Sequence, residues 1–124
     1  TKRLYSCFTY HTLDIHKMRE AAAYLEGEHD FKSFCATASI VENTVRTIHF
    51  ITITEQDEDI IIRVCGNGFL YNMVRIIAGT LMEVGNGKIP SESLPHILNA
   101  KNRTIAGPTA PARGLMLVKY DFLA

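Results

Sequence analysis

At 124 residues the chain is long enough for one domain with a real core, and its content of 47% hydrophobic and 21% charged residues is ordinary for a soluble globular protein. Thirteen basic and thirteen acidic residues cancel, which excludes a global field that would draw the domain to RNA or to a membrane. Three widely spaced cysteines favour a reducing compartment, and no apolar run could span a bilayer. We therefore expect a cytoplasmic protein without a membrane anchor.

The N-terminal third is predicted to form a strand and a helix. Leu4–Thr12 is rich in aromatic and β-branched residues, which is typical of a strand. Asp14 is a suitable N-cap for the helix that follows, and Gly27 is a suitable stop. The aromatic segment 29–34 is predicted to be a short helix or a turn.

Two strands, Thr44–Thr54 and Asp59–Val64, are predicted to form a hairpin across a polar turn. Gly66-Asn67-Gly68 then breaks the pattern before a helix. Such a turn could cradle a phosphate on the amides of a helix N-terminus. It lacks the third glycine of a dinucleotide fingerprint and the Lys-Ser/Thr of a P-loop, which favours a tight strand-to-helix turn.

The segment Phe69–Val84 is predicted to be a helix that is apolar or small on both faces. Its main apolar stripe contains Phe69, Met73, Ile76, Ile77, Thr80, Leu81 and Val84. The opposite face carries Tyr71, Ala78, Gly79 and Met82, with Arg75 as its one charge. A helix of this kind requires cover on both sides. A partly buried Arg75 would then need an anionic partner, whereas the alternative is an arginine in solvent.

The last third is predicted to contain a short helix, a rigid loop and a strand. The long helix ends near Gly85–Gly87, and a helix through Leu94–Leu98 precedes a loop rich in proline and glycine, Ala106–Gly114. In the strand Leu115–Phe122, alternation assigns Met116 and every second residue after it to the core, so Leu115 would point to the opposite face. The order β-α-β-β-α-(α)-β predicts an α+β domain of split β-α-β (ferredoxin-like) type, with an antiparallel sheet and helices on one face.

Other candidate sites have plain structural interpretations. The five histidines lack metal-ligand spacing, so no metal site is expected. His29-Asp30 could form an acid–base pair, but the flanking Phe31 and Phe34 favour a packed, capped turn. Arg113, in the proline-rich loop, is equally consistent with a phosphate contact and with a cation in water.

Four blocks of the sequence resemble the C-terminal half of TruA-type tRNA pseudouridine synthases. They are Gly27–Phe31 with Phe34, Thr44–Ile48, Gly68–Arg75, and Gly107–Pro111 with Gly114-Leu115. The blocks occur in the family's order and span essentially the whole chain. The resemblance implies that residues 1–124 are a C-terminal pseudouridine synthase domain, half of the pseudouridine synthase fold.

The resemblance also implies an activity. Members of this family isomerise uridine to pseudouridine in the anticodon stem-loop of tRNA without a cofactor or metal, by means of a catalytic aspartate that acts on a flipped-out uridine. That aspartate lies in an Arg-Thr-Asp-x-Gly-Val-His motif of the N-terminal half, which is absent from this chain, as is a tyrosine that stacks near the uracil. We expect the chain alone to be inactive, and the full-length protein to be a homodimer whose partners are tRNA and its own N-terminal half.

Two positions match the family's active-site residues from this half. Arg75 matches the arginine that pairs with the catalytic aspartate, and Leu115 matches the apolar residue that packs against the target base. Thr109 and Arg113 lie in the matching loop and are weaker candidates for RNA contact. The alternatives are a non-catalytic RNA-binding or dimerisation module derived from the family, and an unrelated ferredoxin-like protein.

Overall fold

The structure, a computed structural model, describes residues 3–9, 13–36, 42–56, 59–70, 72–110 and 115–118, with the first and last ranges described by their backbone pairing. The regular elements in these ranges, in chain order, are strand β1 (Arg3–Thr9), helix α1 (Ile15–Ala23), strands β2 (Gly27–Asp30), β3 (Val45–Gln56) and β4 (Asp59–Gly66), helices α2 (Met73–Gly85) and α3 (Leu94–Ala100), and strand β5 (Leu115–Val118). Short 3-10 turns lie at Lys32–Phe34, Ser91–Ser93 and Arg103–Ile105.

The strands form one antiparallel sheet. Their spatial order is β2-β3-β4-β1-β5, and each neighbouring pair is antiparallel. Strand β4 lies between β1 and β3, which are joined through α1 and the edge strand β2, so the arrangement is of the split β-α-β type. The predicted α+β class with an antiparallel sheet is confirmed.

The core lies between the helices and one face of the sheet. Met18 of α1 and Ile76 and Ile77 of α2 are fully buried, and they belong to one cluster with Ile62 and Val64 of β4. Burying a side chain of this size stabilises the fold by about 1.5–3 kcal/mol. The packing therefore fixes α2 against the sheet.

Helix α1 begins where the sequence predicts. The carboxylate of Asp14 accepts a hydrogen bond from the backbone N–H of Lys17 at 3.2 Å, as an N-cap does. The backbone N–H of Asp14 also donates to the carbonyl oxygen of Gly85 at 2.9 Å. This bond ties the start of α1 to the end of α2.

The prediction for residues 29–34 was partly wrong. Gly27–Asp30 is a strand that pairs with β3, and the 3-10 turn begins at Lys32. Glycine, glutamate and aspartate are poor strand formers, so the local sequence does not indicate a strand. Pairing with β3 supplies the backbone hydrogen bonds that propensity does not favour.

Helix α2 begins four residues later than predicted, at Met73. Asn72 has a φ of 59°, which places it in the left-handed region and outside the helix. Phe69 and Leu70 therefore precede the helix, and Leu70 is still buried in the core. The predicted end near Gly85–Gly87 is confirmed, since the helix ends at Gly85. The predicted extension of β5 from 119 to 122 lies outside the described residues.

Candidate active site

Arg75 lies in the first turn of α2 and is half-buried. Its Nε–H donates to the carbonyl oxygen of Ala110 at 2.8 Å, and its Nη1 donates to the side-chain oxygen of Asn72 at 3.2 Å. The backbone N–H of Ala110 donates in turn to the carbonyl oxygen of Arg75 at 2.9 Å. The guanidinium is therefore held by two neutral acceptors from different parts of the chain.

The positive charge of Arg75 has no anionic partner within the part of the chain that the structure describes. The ion pairs found there are Lys88–Glu83 and Lys101–Asp30, each at 3.9 Å. A guanidinium carries five N–H donors. Those of Nη2 form no hydrogen bond with the described residues, so an incoming carboxylate or phosphate could accept them.

The loop Gly107–Ala110 covers the face of α2 that carries small residues. An ideal Cβ on Gly79 would lie 1.7 Å from the carbonyl oxygen of Pro108, and one on Gly107 would lie 2.6 Å from the Cα of Thr80. The backbones approach this closely because both positions are glycine. The second covered face predicted for this helix is thus confirmed, and its cover is a loop of the same domain.

Hydrogen bonds fasten this loop at several points. The hydroxyl of Thr80 accepts from the N–H of Gly107 at 2.9 Å and donates to the carbonyl of Ile76 at 2.8 Å. Arg103 donates from Nη1 to the carbonyl of Gly107 at 2.9 Å and from Nη2 to the hydroxyl of Thr109 at 3.2 Å. The loop that bonds Arg75 is therefore itself anchored to α2 and to the turn Arg103–Ile105.

Thr109 and Arg113 were the loop candidates for RNA contact. The Thr109 hydroxyl is half-buried and accepts from Arg103, and its O–H donates to no group among the described residues. Arg113 lies outside the described residues. An RNA contact by either residue stays a prediction.

The register of β5 corrects the sequence argument about Leu115. Leu115 lies opposite Cys7 of β1, and Cys7 lies opposite Ile62 of β4. Directly opposed residues of antiparallel strands share a face of the sheet. Ile62 belongs to the core, so the alternation argument that assigned Leu115 to the face away from the helices was wrong. The position of Leu115 is on the same face as α2, which carries Arg75.

The alternative candidates have structural roles. The backbone N–H of Asn67 donates to the carbonyl oxygen of Thr47 at 3.2 Å, and the side-chain oxygen of Asn67 accepts from the backbone N–H of Thr47 at 3.3 Å. The segment after β4 is therefore a turn that is bonded to β3. His29 bonds through Nε2 to the carbonyl of Glu26 at 2.8 Å. Asp30 instead accepts hydrogen bonds from the Thr44 hydroxyl and the Lys32 N–H, so these contacts do not join His29 to Asp30 as an acid–base pair.

Sequence reasoning missed Asn72 and Arg103, which hold Arg75 and its loop. Asn72 was detectable in principle, because residues three apart at the start of a helix are neighbours and asparagine tolerates a positive φ. Arg103 offered no such signal, since its contacts depend on the path of the loop. Among the described residues, no group of three or more histidine, cysteine, aspartate or glutamate side chains could hold a metal. The described helices are too short or too polar to cross a membrane.

A family model described as tRNA pseudouridine synthase matches residues 21–122, which includes every described part of the site. The chain belongs to the tRNA pseudouridine synthase family. It is 49% identical over 122 residues to tRNA pseudouridine synthase A of Bacillus licheniformis, covering 97% of this chain and 49% of that protein. With tRNA pseudouridine synthase A of Bacillus pumilus it shares 52% identity over 121 residues, 96% of this chain and 49% of that protein.

A third relative of this chain is tRNA pseudouridine synthase A 1 of Bacillus cereus. It is 50% identical over 110 residues, which are 89% of this chain and 44% of that protein. The chain therefore spans about half the length of the curated relatives it matches. The family identified from the sequence motifs is confirmed.

Proposed function

We propose that the chain is the C-terminal half of a tRNA pseudouridine synthase that converts uridine to pseudouridine in the anticodon stem-loop. The observation that carries this proposal is the environment of Arg75. This half-buried cation is held by two neutral acceptors, and its Nη2 donors form no hydrogen bond with the described residues. In a member of this family, the natural partner for those donors is the catalytic aspartate. The N-terminal half supplies that aspartate.

The reaction moves one bond and one proton. The bond between the sugar and a ring nitrogen of uracil breaks, the uracil turns, and the sugar bonds to carbon 5 of the same ring. The hydrogen on that carbon leaves as a proton, and the freed nitrogen gains one, so no net oxidation occurs. The target base must leave the helical stack because the sugar carbon is inaccessible in a stacked base. A carboxylate can act as nucleophile or base in this chemistry.

Arg75 acts on this reaction through the aspartate. A cation next to a carboxylate lowers the pKa of that carboxylate and favours its charged form. Paired N–H donors also fix the direction in which the carboxylate points. Leu115 packs against the target base. The register position of Leu115 on the face of α2 supports a location near Arg75.

The surface around the loop contacts the tRNA backbone. From Asn86 to Lys119 the chain has one acidic residue, Glu92, and five basic ones: Lys88, Lys101, Arg103, Arg113 and Lys119. Such a local excess suits phosphate contacts even though the whole chain is neutral. Thr109 and Arg113 are the loop residues that we propose for contact with the tRNA. The full-length enzyme works in the cytoplasm as a homodimer.

The isolated chain is inactive in this proposal, because none of the aspartates that the structure describes is placed to act with Arg75. Asp14 caps α1, and Asp30 accepts hydrogen bonds from Thr44 and Lys32. Asp59 lies at the start of β4, where its backbone pairs with that of Gln56 in β3. No described aspartate bonds Arg75, so none replaces the missing catalytic residue.

The test joins this chain to the N-terminal half of the Bacillus licheniformis relative, and we call the product the fused enzyme. With unmodified tRNA labelled with tritium at carbon 5 of uracil, the fused enzyme should release tritium, because that carbon loses its hydrogen. The isolated chain should release none. Turnover by the isolated chain would disprove the proposed inactivity.

A different outcome would favour the non-catalytic module. In that case the isolated chain binds tRNA with a strong dependence on salt, and the fused enzyme releases no tritium although it is folded. An absence of both binding and turnover would count against any role in tRNA modification.

A further inference from the structure

Asn72 occupies the N-cap position of α2, but its side chain does not cap the helix. Its φ of 59° is in the left-handed region, and its side chain makes no hydrogen bond to the first amides of the helix. The side-chain oxygen accepts instead from Nη1 of Arg75 at 3.2 Å. The side chain of an asparagine at this position usually accepts a hydrogen bond from an N–H of the first helical turn. Here it accepts one from an arginine side chain.

The position has three requirements that few residues meet. The backbone needs a residue that tolerates positive φ, which favours glycine, asparagine and aspartate. The bond to Arg75 needs an acceptor on a short side chain, which excludes glycine. Aspartate would satisfy both, but its carboxylate would pair with the guanidinium and occupy its charge. Asparagine holds the guanidinium while leaving that charge unpaired.

We propose that Asn72 is a positioning residue for Arg75 in the pseudouridine synthase reaction, an inference that rests on the proposed function. The amide of Asn72 and the carbonyl of Ala110 orient two edges of the guanidinium before the other half of the enzyme contributes its carboxylate. The Nη2 donors, which form no hydrogen bond with the described residues, thereby stay available to that carboxylate. A group positioned in advance costs less reorganisation when the reaction occurs.

Two substitutions in the fused enzyme test this role. Asn72→Gly keeps the left-handed backbone and removes the acceptor, so kcat should fall roughly tenfold or more while KM for tRNA stays within about twofold. Asn72→Asp keeps the size and adds a competing carboxylate, so kcat should fall further. It should also move the acid limb of the kcat–pH profile to higher pH, because the catalytic carboxylate then shares its cation and its pKa rises.

Asn86→Gly is the matched control. Asn86 lies at the other end of α2, is exposed, and accepts a hydrogen bond from the N–H of Lys88 at 3.1 Å. This variant should keep the kcat and pH profile of the wild type. Melting temperatures of all three variants separate a catalytic effect from a loss of stability, and Asn72→Gly should melt within a few degrees of the wild type.

Several results would overturn the proposal. If Asn72→Gly keeps the wild-type kcat and pH profile, the amide does not position Arg75. If kcat falls only in proportion to a lowered melting temperature, or falls equally in Asn86→Gly, the role is structural. If the unsubstituted fused enzyme is active and Asn72→Gly has the same kcat, only this inference is rejected. If the unsubstituted fused enzyme is folded but inactive, the proposed function is rejected and this inference with it.

Discussion

At the scale of single residues, Arg75 shows how a charge is kept available inside a folded domain. Removing a cation from water is costly unless hydrogen bonds compensate for the lost hydration. Ala110 and Asn72 supply that compensation with neutral oxygens, so the charge itself is not neutralised by them. The anionic partner that the sequence demands has no counterpart among the described residues. It stays a prediction about the other half of the enzyme.

Replacing Arg75 measures what this charge contributes. In the fused enzyme, Arg75→Ala should lower kcat/KM about 100-fold or more, equivalent to about 3 kcal/mol of transition-state stabilisation. The acid limb of the pH profile of this variant should also move to higher pH, because the catalytic aspartate has a higher pKa when no cation pairs with it. Arg75→Lys should recover part of the loss, since lysine keeps the charge but lacks the planar arrangement of donors.

The measurement is initial-rate kinetics with labelled tRNA from acidic to neutral pH. Urea unfolding serves as the control, and Arg75→Ala should remain folded with a loss of about 1–2 kcal/mol from the hydrogen bond to Ala110. Near wild-type turnover would return Arg75 to the interpretation of an arginine in solvent.

At the scale of elements, α2 and the loop Gly107–Ala110 form one unit. Glycine inside a helix normally costs about 1 kcal/mol relative to alanine. Gly79 is retained in the middle of α2 because the carbonyl of Pro108 occupies the space that a Cβ would need. The close contact brings Ala110 within reach of Arg75 in the first turn of the same helix. The loop path thus depends on a residue of poor helix propensity.

Gly79→Ala should therefore reverse the usual sign of this substitution. We expect a loss of about 1–3 kcal/mol in the free energy of unfolding, because the loop must move away from the helix. Urea unfolding of the fused enzyme measures this loss, and kcat should fall as well because Ala110 is displaced. Gly68→Ala is the matched control, since its nearest neighbour would be the Cδ of Arg46 at 4.0 Å. A Gly79→Ala variant more stable than the wild type would contradict the tight contact.

At the scale of the whole molecule, the sheet has two edges of different kinds. Strand β2 lies at one edge and β5 at the other. Strand β5 follows the loop that holds Arg75 and begins at Leu115, so an element added along β5 would meet the candidate site. Exposed backbone groups of an edge strand invite pairing with another strand. We expect the sheet to continue through β5 into the N-terminal half.

Hydrogen exchange of backbone amides distinguishes the two edges. In the isolated chain, the amides of β5 that point away from β1 should exchange quickly. In the fused enzyme they should slow by about 100-fold or more, because pairing removes them from water. The outward amides of β2 are the internal control and should exchange at the same rate in both proteins. If exchange slows at the amides of β2 and not at those of β5, the N-terminal half joins the sheet at β2 and the prediction is wrong.

Much of the fold was predictable because the signals are local. Asp14 was correctly assigned as a helix cap, Gly85 as a helix end, and the two hairpin strands were found from their composition. Strand β2 was missed because its stability comes from pairing with β3. The face of Leu115 was mispredicted because alternation within one strand does not reveal its register against the next.

The amino-acid sequence by itself determined the family and the fold class and singled out Arg75 as a candidate, since these depend on motifs and on the spacing of side chains along the chain. Only the tertiary structure decided what holds Arg75. Ala110 lies 35 residues away in the sequence, and its approach requires Gly79 to lie against the backbone of Pro108 and Gly107 to lie against the backbone of Thr80. Such a contact depends on how the loop folds over the helix. No periodicity within a single segment can encode it.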